Sequence, residues 1–305
     1  MLIKVLGSAA GGGFPQWNCN CPNCAGVRQG SIRASARTQS SIAVSANRTD
    51  WLLVNASPDI LTQIARTPEL QPARALRDSG IAAVLLMDAQ IDHVTGLLML
   101  RERGTPLPLL ATPEVLSDIG GGFPIRSILS HYCGTQVQPL RVEGAAFEVP
   151  QVPGMRLETV ALSSKPPPYS PFRGQPRPGD NIGLTVTDPQ TGAKAFYAPG
   201  LAEVDERLIE LMSDCDLVLV DGTCWHNDEM KALGISQKTA LDMGHLPQSG
   251  PGGMIEQLDR LPATVRKVLI HINNTNPILR DDSPQREELA RHGIEVAFDG
   301  MELAF

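Results

Sequence analysis

No stretch of this chain approaches the roughly 20 consecutive apolar residues that crossing a bilayer requires, so the sequence offers no transmembrane helix. A surplus of positive charge is missing as well: 26 Lys and Arg stand against 33 Asp and Glu, a formal net charge of −7. That balance argues against a general nucleic-acid or membrane-surface binder. The opening Met1-Leu2-Ile3-Lys4-Val5-Leu6-Gly7 lacks the layout of a signal peptide and reads as a strand, so a cytoplasmic protein is expected. Cysteine is scarce, six in 305 residues. Around Gly11-Gly12-Gly13 neither a following Gly-Lys-Ser/Thr nor Rossmann spacing is present. We read that loop as a tight turn packed near a site rather than a phosphate cradle.

What is present is organised around three apolar runs that end in polar side chains. Ile81 to Met87 leads into Asp88-Ala89-Gln90-Ile91-Asp92-His93, Leu217 to Val220 delivers Asp221, and Lys267 to Ile270 delivers His271. Length, branching and flanking residues make each run a buried strand. Open α/β sheets place ligands at such carboxyl ends. Charged groups are rarely buried without a partner, so we read the three ends as one site, each presenting a potential metal ligand.

Three of the six cysteines crowd together as Cys19-x-Cys21-x-x-Cys24. In a reducing compartment that spacing points to metal, and thiolates select zinc. A structural zinc loop is therefore expected at about residues 17–26, tying down the amino-terminal segment. Cys133, Cys215 and Cys224 are read as ordinary buried thiols, and His131, His226 and His292 as structural histidines.

Ser163 to Gly179 carries too many prolines for a helix or central strand and is read as a semi-rigid surface loop. Its Lys165, Arg173, Arg177, Tyr169 and Phe172 suit an anionic, partly aromatic ligand. Elsewhere Ser40 to Ser45 and Trp51 to Val54 read as a hairpin, Ser57-Pro58 opens a helix, and a short helix is expected over Leu97 to Arg103. Ser283-Pro284 starts the last helix and Gly293 ends it. Strands followed by helices, twice over, predict an α/β (α+β) fold: two mixed sheets face to face with helices outside, in a single domain over residues 1–305.

Asp88-Ala-Gln90-Ile-Asp92-His93 followed by Gly96-Leu97 resembles the His-x-His-x-Asp-His signature of the metallo-β-lactamase superfamily, with Asp88 and Gln90 in place of its two leading histidines. Joined to Leu6-Gly7-Ser8-Ala9-Ala10-Gly11-Gly12-Gly13, the cysteine cluster and Ile270-His271-Ile272-Asn273-Asn274-Thr275-Asn276-Pro277, the chain resembles the coenzyme PQQ synthesis protein B family over essentially its whole length. The resemblance implies an αββα sandwich. It also implies that segments where further ligands would stand, Val160 to Ser164 and Phe196 to Gly200, have lost them, leaving Asp92, His93 and His271.

Two histidines and one carboxylate are the ligand set of non-haem Fe(II) oxygenases. Asp88 and Gln90 then orient the ligands or meet substrate, with Arg173 and Arg177 on the substrate side. Similarity to RNase Z-like relatives implies a contact between Asp221 and His245, with the pair as proton-handling catalytic groups. In a related phosphonate-degradation phosphodiesterase the fourth zinc ligand is a histidine, where this chain has Asn274. Asparagine is a poor zinc ligand, so water, a nearby His or Asp, or Asn274 itself are the candidates.

The function so implied is pyrroloquinoline quinone (PQQ) biosynthesis through iron- and O2-dependent hydroxylation of the tyrosine ring in a Glu-Tyr-derived precursor. Alternatives are a non-catalytic carrier assisting transport of PQQ or its precursor to the periplasm, and a metal-dependent hydrolase. The expected cofactors are Fe(II) at the active site and a structural Zn(2+). The expected partners are PQQ or its precursor and O2, with neither nucleic acid nor membrane insertion; a homodimer is an allowed state.

Overall fold

A computed structural model of the chain describes residues 1–305. The chain forms two compact units. One comprises Met1–Gly7, Ser40–Ala193 and Gly300–Phe305, the other Ser8–Gln39 and Lys194–Asp299. Neither is continuous, so no single cut in the chain separates them.

The first unit is built on a seven-stranded sheet. In chain order its strands are β1 (Leu2–Gly7), β2 (Ser41–Ser45), β3 (Trp51–Val54), β4 (Ile81–Leu85), β5 (Leu107–Ala111) and β6 (Thr135–Pro139), adjacent in that order, with the terminal strand Glu302–Ala304 on the outer side of β1. β1 to β3 pair antiparallel and β3 to β6 parallel. Parallel strands are covered on both faces and read as continuous apolar runs. Accordingly every residue of Leu107–Ala111 is buried, as is all of Ile81–Leu85 except the half-buried Ala82. Trp51, Leu53, Val84, Leu86, Leu97 and Leu109 belong to the core packed on this sheet. An antiparallel pair, β7 (Arg156–Ala161) with β8 (Ile182–Thr187), completes the unit. The turn after β8 is closed by Asp188 N–H donating to Ala193 O at 2.9 Å.

The second unit holds four strands, β9 (Lys194–Ala198), β10 (Leu217–Asp221), β11 (Arg266–Ile270) and β12 (Ile294–Val296), all parallel. Parallel neighbours need crossovers. Helix Glu206–Ser213 supplies the one before β10, capped by Asp205, whose side chain accepts from Leu208 N–H. Helix Pro284–Arg291 supplies the one before β12, capped by Ser283, and Gly293 (φ 65°) follows it in the left-handed conformation, as read from the sequence.

Two local expectations need correction. The helix expected from Ser57-Pro58 begins at Ile60 with Asp59 at its N-cap, because the Ser57 hydroxyl instead accepts from Asp59 N–H at 3.2 Å and turns the chain first. The helix expected over Leu97–Arg103 is a 3₁₀ helix over Thr95–Leu100, directly behind the single α-turn Ile91–Val94. Gly96 accounts for the tighter winding: its N–H donates to Ala56 O at 2.9 Å, which pins this stretch against the turn after β3.

Candidate metal and proton-transfer sites

In the first unit the turn after β4 brings Asp88 and His93 together. Both are buried, and His93 Nδ1 lies 2.8 and 2.9 Å from the two carboxylate oxygens of Asp88. Asp88 also accepts from Gln90 N–H at 2.9 Å, which shapes the turn. His93 O accepts from Ala56 N–H at 2.7 Å, fixing the backbone that carries the ring. Asp92 stands on the other side of the imidazole, its carboxylate 3.7 Å from Nε2. A carboxylate holding Nδ1–H is the arrangement that orients a metal-binding imidazole to use Nε2.

Burial pulls the His93 imidazole down, but the charges of Asp88 and Asp92 outweigh it and hold the ring up at about 9. A pKa raised on folding contributes stability that is complete below the unfolded value, about 6.5, and is lost as pH rises through the folded one. Metal-free protein should therefore lose on the order of 2–3 kcal/mol between about pH 6.5 and 9. Urea unfolding across that range checks this: the Asp88→Asn variant should show a much shallower decline, since only Asp92 then holds the ring up, and a wild-type curve that is flat there contradicts it.

The proline-rich segment crosses the same turn. The Tyr169 hydroxyl donates to Ala89 O, Gln90 Nε2 donates to Lys165 O at 3.5 Å, and Ile182 N–H donates to Met87 O at 3.0 Å. Its two arginines are already engaged by nearby groups. Arg173 donates to Pro166 O, while Arg177 pairs with Asp180 at 2.7 Å and lies 3.7 Å over the Phe172 ring. Lys165 is the exposed cation of the three.

In the second unit, β10 delivers the fully buried Asp221 and β11 delivers His271. The contact expected between Asp221 and His245 is present, Nδ1 to Oδ2 at 2.6 Å. His245 follows the short helix Ala240–Met243, which ends on Gly244 in the left-handed conformation, and Leu246 N–H anchors the loop on Leu201 O at 2.8 Å. Asp221 accepts two backbone N–H bonds besides, from Leu201 and Thr223, each at 2.9 Å. Burial pushes its carboxyl up, but His245, His271 and Thr223 together hold it below the usual carboxylate range. His271 itself sits at φ 61°, a left-handed backbone uncommon for a residue with a side chain and often met at functional sites. Its ring stacks on that of His245, centroids 5.2 Å apart.

Sequence reading missed Thr223. Its hydroxyl oxygen lies 2.6 Å from Asp221 Oδ1 and 2.9 Å from His271 Nδ1. The only local signal was position, two residues past a strand-end aspartate.

The cysteine cluster is also in the second unit. Cys21 caps helix Pro22–Gln29, its sulfur accepting from Cys24 N–H. The Asn274 amide faces all three sulfurs, Nδ2 lying 3.0, 3.7 and 3.4 Å from those of Cys19, Cys21 and Cys24. The nitrogen and oxygen ends of such an amide are assigned from the hydrogen-bond network, so either end can face the sulfurs. Asn23 fixes the segment by donating to Asn274 O at 3.2 Å and Asn276 O at 2.9 Å. Burial raises Cys21 to about 12; against the same burial, N–H and amide donors from Cys21 and Asn274 hold Cys19 below its ordinary value. None of the six cysteines is in a disulfide, and Cys133 is half-buried rather than buried. Among the remaining histidines, His226 pairs with Ser249 and His292 with Asp259.

A β-lactamase superfamily domain model matches residues 50–272. Curated relatives named coenzyme PQQ synthesis protein B match along the chain: the Cupriavidus taiwanensis protein is 65% identical over 302 residues, 99% of either chain, and that of an Azoarcus species 60% identical over 304 residues, all of both. The crystal structure of zinc-bound PqqB from Methylobacterium extorquens superposes with a TM-score of 0.91 at 38% identity over the whole of both chains. A diphosphatase of the PhnP family, TM-score 0.68 at 18% identity over all of this chain and 97% of its own, shares the fold alone. The architecture is the metallo-β-lactamase fold, mixed sheets with helices, as the sequence predicted.

Proposed function

Because the chain belongs to the coenzyme PQQ synthesis protein B family of the β-lactamase superfamily, we propose that it acts in PQQ biosynthesis, as an iron- and O2-dependent hydroxylase of the tyrosine ring in a Glu-Tyr-derived precursor. Asp92, His93 and His271 would hold the iron. One observation carries this reading: each imidazole has Nδ1 engaged by a neighbour, His93 by Asp88 and His271 by Thr223, which makes Nε2 the atom each offers to a metal. With the Asp92 carboxylate, that donor set fits a ferrous ion. Iron(II) in such a set supplies exchangeable positions for O2 and a phenol, the chemistry hydroxylation draws on.

The chain's own groups do the rest. His245, backed by the buried Asp221, takes the phenol proton, and the carboxylate stabilises the resulting imidazolium. Lys165 offers a substrate carboxylate its charge, while Arg173 and Arg177 hold the segment that carries it. Cys19, Cys21 and Cys24 would bind a structural zinc with Asn274 at the fourth position. The zinc bound by the Methylobacterium extorquens relative supports metal binding by this chain. No helix is long and apolar enough to cross a membrane.

The test is anaerobic purification with iron and zinc counted separately, then O2 uptake with a Tyr-Glu type substrate and a reductant. About one iron and about one zinc per chain are expected. His93→Ala should lose the iron and take uptake to background, whereas Cys24→Ser should lose the zinc. Tight PQQ binding indifferent to O2, with no turnover, would mean a carrier; turnover of an activated phosphodiester with zinc or manganese would mean a hydrolase.

A further inference from the structure

We infer that Thr223 is a positioning residue that fixes the ring proton of His271 on Nδ1 and so commits Nε2 to the metal. The reasoning counts hydrogens. A threonine hydroxyl has one proton to give and two lone pairs. Around Thr223 Oγ1 stand four atoms: Asp221 Oδ1 at 2.6 Å, His271 O at 2.9 Å, His271 Nδ1 at 2.9 Å and His245 Nδ1 at 3.1 Å. A backbone carbonyl can only accept. The Asp221 carboxylate is likewise an acceptor here, since each of its oxygens already receives a backbone N–H, from Thr223 on Oδ1 and Leu201 on Oδ2. The hydroxyl proton therefore goes to one of these two, and the closer, charged acceptor, Asp221 Oδ1, takes it. His271 Nδ1 must then be the donor, and Nε2 carries the lone pair.

Thr223 can do this because its backbone is held independently of its side chain. Its carbonyl accepts from Asn273 N–H at 3.0 Å and from Asn276 Nδ2 at 3.2 Å. The result is a relay in which Asp221 supports His245 directly through Oδ2 and His271 indirectly, through the hydroxyl on Oδ1. His93, by contrast, rests straight on the Asp88 carboxylate. The two imidazoles assigned to the metal thus differ in their backing, one a charged acceptor and the other a neutral oxygen.

This inference rests on the reading of His271 as a ligand only for its consequence; the proton position is measurable without metal or substrate. In metal-free, 15N-histidine-labelled full-length protein at about pH 8, long-range proton–nitrogen spectra should report His271 as the Nδ1–H tautomer, its signals identified by their loss in His271→Asn. Thr223→Val keeps the shape without the hydroxyl and should shift His271 towards Nε2–H, and Thr223→Ser should restore the wild-type pattern. Fe(II) titrated anaerobically should bind Thr223→Val about 10–100-fold more weakly, the usual effect of losing such a partner. An Nε2–H tautomer in the wild type overturns the inference, and that measurement stands even if Thr223→Val does not fold. A folded Thr223→Val whose His271 tautomer is unchanged overturns it too. Failure of O2 uptake would leave these spectra untouched.

Discussion

Asp221→Ala is expected to cost the folded protein about 3–5 kcal/mol, the range for removing one partner of a buried charged pair. Asp221 has no exposed surface and accepts four hydrogen bonds, from Leu201 N–H, Thr223 N–H, the Thr223 hydroxyl and His245 Nδ1. Alanine leaves these donors in a space too buried for water to replace the lost oxygens. Each unmet buried donor costs on the order of 1–3 kcal/mol. Asp221→Asn keeps the shape but turns an NH2 group against donors, so about half that loss is expected. The carboxyl's pKa is lowered on folding, so its contribution is present above the ordinary carboxylate value of 3.8 and disappears as pH falls through the folded one. Urea midpoints at neutral pH and at about pH 3 should therefore differ less between variant and wild type at the acid end. A midpoint shift at neutral pH worth under about 1 kcal/mol would contradict the assignment.

Gly96→Ala should be nearly as damaging, from a site with no charge at all. A Cβ built there lies 2.2 Å from Ser57 O and 2.7 Å from Ala56 O, both backbone atoms. No rotamer can relieve the overlap; either the turn after β3 or the winding that carries Asp92 and His93 must move. The same contact is stitched by Gly96 N–H to Ala56 O and Ala56 N–H to His93 O, so displacement is passed to the backbone that carries Asp92 and His93. We expect a loss of about 2–4 kcal/mol and an Fe(II) affinity at least ~10-fold lower. Gly104→Ala is the control, since nothing lies within 4 Å of its added methyl; it should change stability by less than about 0.5 kcal/mol. If the two variants unfold at the same urea concentration, the close approach at Gly96 is not what holds this turn.

The sequence by itself determined the strands and the polar residues at their ends. β4, β10 and β11 are short, branched, largely apolar runs, and such runs carry their strand signal within themselves. The Cys-x-Cys-x-x-Cys spacing likewise brings three thiols to one place with no help from the rest of the chain. The helix opening after Ser57 and the 3₁₀ winding at Gly96 were misread because a backbone contact, not local propensity, chose between two permitted geometries.

What only tertiary structure decided is the layer behind these strand-end side chains. That Asp88 supports His93 while Thr223 supports His271, that Arg177 spends its charge on Asp180, and that Asn274 stands over the thiols depend on loops meeting across as many as 255 residues. A strand announces itself through a period of two, whereas a hydrogen bond between distant loops has no period. Its donor and acceptor are fixed only once burial has removed the water that would otherwise satisfy both.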